Sequence, residues 1–165
     1  MLMSQLDRLE RILIRLAVFC GGVALVGMIV LTCANIVVRT FGDPIRGTFE
    51  LMGYGGAVVT ALALAYTQKR RGHIAVDVLI NRFPPRLQNA LKGFNDAVCG
   101  VFFAILTWQL FRKADGFVQT GEVSETLRVV FYPFTYTVAV GCGLLALVFA
   151  LSLIRDLLSE VSMAR

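Results

Sequence analysis

Four long stretches of this sequence are apolar and free of charge, and no other feature limits its fold so severely. Leu16 to Val38 is bounded by Arg15 and Arg39. As a helix it reaches about 34 Å, enough for a hydrocarbon core of roughly 30 Å. Leu51 to Gln68 lies between Glu50 and Lys69, and Val129 to Ile154 between Arg128 and Arg155. The shortest run, Ala97 to Phe111, covers only about 22 Å. It extends back to Leu91 if Lys92 snorkels and Asp96 stays at headgroup depth or meets a polar partner. Lipid offers backbone groups no hydrogen bonds, so such runs form helices. The expectation is an all-α integral membrane protein with transmembrane helices over about 16–38, 51–68, 91–111 and 129–154. Together they form one four-helix domain spanning 1–165.

Charge placement supports that reading. Charged residues are only 16% of the chain, against roughly 25% in a soluble domain. The net charge of +5 sits beside the apolar runs rather than on a basic stripe with exposed aromatics, so nucleic acid is not an expected partner. Arg8, Arg11, Arg15, Lys69, Arg70, Arg71, Arg82, Arg86, Lys92, Arg155 and Arg165 fall on one side. They outnumber Arg39, Arg46, Arg112, Lys113 and Arg128 on the other, which predicts cytoplasmic N- and C-termini.

Leu6, Leu9, Leu13 and Leu16 recur at helical spacing with Asp7, Arg8, Glu10 and Arg11 between them. They predict an amphipathic lead-in continuous with the first span. The run is too long for a signal peptide and no clear A-x-A site follows it, so it reads as a retained anchor. On the second span Gly53, Ala57, Ala61 and Ala65 stand four residues apart. Small residues on one stripe let another helix come close, which drives packing in lipid. In the fourth run Pro133 either begins the span or kinks it. In the cytoplasmic loop His73, Asp77 and Asn81 recur every four residues among Ile74, Val78, Leu79 and Phe83. That pattern predicts a short interfacial amphipathic helix, which Pro84-Pro85 breaks before Pro85 starts the next helix.

Little points to chemistry. Cys20, Cys33, Cys99 and Cys142 all lie in apolar stretches with no CxxC pair, and His73 is the single histidine. They read as small buried hydrophobes, with no metal or other cofactor expected. No nucleophile–base–acid set or phosphate-cradling glycine loop is visible, so an enzyme is not expected. The polar candidates for a solute path, Asn35, Thr60, Gln109 and Asp96, lie toward span ends except Thr60.

The segment from about Asn35 to Pro84 resembles the small membrane subunit of tripartite ATP-independent periplasmic (TRAP) transporters, the DctQ-like family. The resembling residues are Asn35-Ile-Val-Val-Arg39, Glu50 opening the second span, Arg71-Gly-His-Ile-Ala-Val-Asp77-Val-Leu, and Phe83-Pro84. Further on, Gly121-Glu-Val-Ser124-Glu-Thr-Leu127 resembles the family's segment before the fourth span. Val129-Val130 stands where the family often carries Ile-Pro, and Val140 where a proline often precedes the mid-span glycine. The resemblance implies a bacterial inner-membrane subunit of a three-part uptake system. A periplasmic substrate-binding protein would capture an organic anion, commonly a carboxylate. A large membrane subunit would move it inward on a sodium gradient, with this chain as its fixed scaffold in the bilayer.

Within that frame Asn35, Arg39, Glu50, Gly53, Ala57, Ala61, His73, Asp77 and Pro84 are expected to serve structure or contact with the large subunit. Arg39 and Glu50 pair with each other or with that subunit, or are simply solvated. His73 and Asp77, one turn apart, form a hydrogen-bonded pair or an ordinary polar face. Asp115, Glu122 and Glu125, in an outer loop from Arg112 to Arg128, are candidates for salt-sensitive docking of the binding protein or plain loop solubility. Two other functions are alternatives: an autonomous homo-oligomeric transporter, which would need a mid-membrane charge that the runs lack, or a membrane anchor or assembly factor of an unrelated complex.

Overall fold

The computed structural model describes residues 2–69 and 84–163. The predicted interfacial helix, with His73 and Asp77, lies outside the described residues. Those residues hold four helices: α1 (Leu2–Phe41), α2 (Thr48–Lys69), α3 (Pro85–Thr120) and α4 (Tyr132–Met163). Each contains a segment long and apolar enough to cross a membrane. The fold is all-α, as the charge-free runs require.

The helix ends have local causes. The amphipathic lead-in continues into the first span as one helix, and α1, with 40 residues, is about 60 Å long. Gly47 takes a left-handed φ of 76° just before α2, and its carbonyl accepts the Leu51 amide at 3.1 Å. Pro84 is extended, with Pro85 at the first helical position of α3, where its missing N–H costs nothing. The Pro84 carbonyl accepts the amides of Leu87 and Gln88 at 2.9 and 3.1 Å. Gly121, at φ 65°, ends α3 with its amide on the Phe117 carbonyl at 3.0 Å. Pro133 falls in the first turn of α4, so it begins that helix rather than kinking it.

Helix boundaries differ from the sequence expectation in three places, one of them the end of α4, which runs on past Ile154 to Met163. Helix α3 runs on to Thr120, well past Phe111, because Arg112, Lys113 and Asp115 do not break a helix and only Gly121 supplies a stop. Residues 129–131 belong to the preceding loop, where an isolated antiparallel bridge joins Val130 to Val123 and α4 begins only at Tyr132.

In space the helices follow the order α1, α2, α4, α3, with a slight further contact between α1 and α4. Burial of the apolar windows matches this order: 39% for α4, 22% for α2, 11% for α1 and 0% for α3. The inner pair therefore carries the core, and α1 and α3 flank it. Ile14, Ala65, Leu145, Val148 and Phe149 form that core, with Leu64, Cys99, Phe103 and Leu144 packed against it.

Small residues set the spacing of the inner pair. Ala61 and Ala65 are buried, whereas Gly53 and Ala57 on the same stripe are exposed. The stripe is thus divided: the half nearer Lys69 packs inside the chain and the half nearer Thr48 is left open. The cysteines are divided too. All are free, but only Cys142 is buried, with Cys99 half-buried and Cys20 and Cys33 exposed on α1. Apolar faces of a helix turned to lipid need no burial within the protein, which is why the expected burial fails for most of them.

Candidate functional site

The polar structure of this protein is concentrated at the two ends of the α2–α4 pair. At one end, the outer end if the charge-based orientation holds, the two connecting segments are bolted together. Asn35 Oδ1 accepts the Ile45 amide at 2.8 Å, which holds the α1–α2 connection against α1. The buried Thr48 donates its hydroxyl to the Ile45 carbonyl at 2.8 Å. Gly47 then lies against Leu127, so closely that a Cβ there would be 2.2 Å from Leu127 Cγ.

Glu50 completes this joint. Its carboxylate accepts the Thr126 amide at 2.9 Å on one oxygen and the Leu127 amide at 3.2 Å on the other. Among the described residues no ion pair joins Arg39 to Glu50: the carboxylate meets two backbone donors, and Arg39 is exposed. The α3–α4 connection is itself closely knit. The Ser124 amide reaches the Val129 carbonyl at 2.9 Å, and Ser124, buried, accepts the Val129 amide on its hydroxyl at 3.3 Å. Arg128 sits at φ 52°, an unfavourable conformation for a side-chain-bearing residue. Below the joint Tyr54 packs edge-on to Phe131 and at 5.2 Å from Phe134.

Asp115 is corrected in its setting. It lies within α3, not in a loop, and accepts a hydrogen bond from the Tyr136 hydroxyl of α4. Glu122 and Glu125 remain on the loop, exposed.

The other end holds a feature that sequence reasoning missed. Glu10, only 2% exposed, places one carboxylate oxygen 3.1 Å from Lys69 Nζ and the other 2.7 Å from an Arg155 guanidinium nitrogen. One carboxylate thus joins α1 to the end of α2 and to α4 where its apolar part closes. The face of α1 turned inward carries Glu10, Ile14 and Ala17, while Leu9 and Leu16 of the predicted apolar stripe are exposed. A buried anion needs such partners, because desolvation without them costs several kcal/mol.

Within the spans, hydroxyls are used locally. Thr32, Thr107, Thr135 and Thr137 donate to the carbonyls of Met28, Phe103, Phe131 and Pro133, each four residues back. Such back-bonding satisfies the hydroxyl inside its own helix. The arrangement is suited to holding helices in fixed relation.

If the outer joint depends on the Glu50 carboxylate, Glu50→Ala will free the 121–131 connection. Amide exchange at Thr126 and Leu127 should accelerate strongly, with Glu50→Gln between the two. Exchange unchanged from the parent chain would refute the joint.

Residues 28–159 match the family model described as "Tripartite ATP-independent periplasmic transporters, DctQ component". Among curated proteins none gives a significant match.

Proposed function

Because the chain belongs to the DctQ component family of tripartite ATP-independent periplasmic transporters, and so is a multi-pass membrane subunit of a transporter, we propose that it acts as the stationary scaffold of that system. Its companion, the large membrane subunit, carries the solute: an organic anion, commonly a carboxylate, driven by sodium and delivered by a periplasmic binding protein. The chain lies in the inner membrane with both termini cytoplasmic, in keeping with its basic residues.

The observation that favours a scaffold is the bolting of the inner helix pair at both ends, by Glu50 outside and Glu10 inside, with apolar flanks left uncovered. A moving transport domain needs a rigid body to slide against, and a body fixed at both ends by charged groups resists shear. Gly53, Ala57 and Arg39 are exposed toward the outer half, and contact with the large subunit is assigned to them. Small residues suit close helix approach in lipid. Glu122 and Glu125 are the groups proposed to meet the binding protein through long-range attraction. His73 and Asp77 retain their proposed structural role in the cytoplasmic connection.

The test is reconstitution. Vesicles containing the large subunit, this chain and the binding protein should take up the anion on a sodium gradient; vesicles with this chain alone should not. Gly53→Leu with Ala57→Leu should lower co-purification of the large subunit. Reversal of charge at Glu122 and Glu125 should slow uptake most at low salt. Uptake by this chain alone would sink the scaffold reading and favour the autonomous transporter.

A further inference from the structure

The inner turns of α1 present three different faces. Glu10, Ile14 and Ala17 are buried against the rest of the chain. Leu9, Ile12 and Leu16 are exposed, at 54%, 48% and 56%. Arg8, Arg11 and Arg15, spaced three and four apart, form a third row, also exposed. At 3.6 residues per turn that spacing keeps the three guanidinium groups on one side of the helix.

The depth of this row is set by the ion cluster beside it. Lys69 ends α2, Arg155 closes the apolar part of α4, and both meet Glu10. Arg8 and Arg11 stand beside Glu10 in sequence, and Arg15 lies just before the charge-free run. The row therefore stands where headgroup phosphates lie, and a long arginine stem lets even the deepest member reach that level. Among the described residues none of the three arginines has an acidic partner within ion-pair distance.

We propose that this row binds anionic phospholipid headgroups of the adjoining leaflet, with Leu9, Ile12 and Leu16 lying along the acyl chains. Charge and apolar surface occur side by side at the depth where a phosphate and its acyl chains meet. Guanidinium groups pair bidentately with phosphate, which favours a bound headgroup over a diffuse attraction. A neutral, zwitterionic lipid satisfies the apolar row but leaves the arginines without net counter-charge. The inference is independent of the scaffold reading, since it concerns lipid and not the companion subunit.

The experiment uses the full chain in nanodiscs of mixed phosphatidylcholine and phosphatidylglycerol, with co-purifying lipid counted by native mass spectrometry. The parent chain should retain phosphatidylglycerol preferentially, and raised salt should weaken the preference. Each arginine neutralised should lower it roughly fivefold, and R8Q/R11Q/R15Q on the order of 100-fold. R8K/R11K/R15K, which keeps the charge but loses the forked pairing, should fall between the parent and the triple glutamine variant, and Arg46→Gln, in the opposite loop, should leave the preference unaltered. Equal retention of both lipids by the parent chain would overturn the proposal. So would a triple glutamine variant that keeps phosphatidylglycerol while losing the large subunit, which would assign the row to a protein contact.

Discussion

Replacing Lys69 by Met and Arg155 by Leu together should destabilise the folded chain by roughly 3–5 kcal/mol, the usual cost of stripping a buried charge of its partners. Glu10 is 2% exposed while Lys69 and Arg155 are 30% and 37% exposed, so the three members are not equivalent. The cations can turn toward headgroups and water if the carboxylate is removed; the carboxylate has no such escape. Glu10→Leu alone should therefore cost much less than the double replacement. The triple variant, with Glu10→Leu added to the other two, should recover most of the loss. Thermal unfolding in detergent followed by circular dichroism checks the order, with a drop on the order of 10 °C for the double variant. If all three behave alike and lie within about 0.5 kcal/mol of the parent, the cluster is an ordinary surface pair and the inner bolt does not exist.

That cluster also marks the limit of what the sequence discloses. The spans are legible because lipid imposes a single requirement, a long charge-free run, and each run answers it locally. Glu10 and Arg155 are 145 residues apart, and Glu50 is 76 residues from Thr126. No local pattern announces either contact. The Leu6–Leu9–Leu13–Leu16 spacing signals an amphipathic helix correctly but not which face turns inward. In a soluble protein such leucines would be buried; here Leu9 and Leu16 turn out, and a paired carboxylate occupies the inner face. The alanines show the same limit. The four-residue repeat identifies a stripe, but only the approach of α4 decides that Ala61 and Ala65 are covered while Gly53 and Ala57 are not. Glu50 was legible as a residue and not as a contact: its place at the head of α2 could be read, its backbone partners on a distant loop could not.

Gly141→Ala should be the most damaging single-methyl addition to the helices. A Cβ at Gly141 would be 2.7 Å from both the carbonyl carbon and the oxygen of Ala61. Those are backbone atoms, so no rotamer change relieves the contact and α2 and α4 must separate. Separation loosens what lies beside the crossing, where Ala65 and Leu145 are buried at 1% and 2%. Overpacking of this kind costs roughly 1–3 kcal/mol for one methyl, and Gly141→Leu should exceed it. Two other glycines act as controls. At Gly143 the nearest atom is the Thr107 side-chain methyl at 3.3 Å, which can shift, so Gly143→Ala should be mild. At Gly116 nothing lies within 4 Å, and Gly116→Ala should stabilise α3 by up to about 1 kcal/mol through helix propensity. The measured order of unfolding temperatures should be Gly116→Ala highest, then Gly143→Ala, then Gly141→Ala. Co-purification with the large subunit should fall only for the last, because a scaffold whose central helices are forced apart no longer presents one fixed surface. Gly141→Ala with the stability and complex yield of Gly116→Ala would mean that the α2–α4 crossing does not hold this body together.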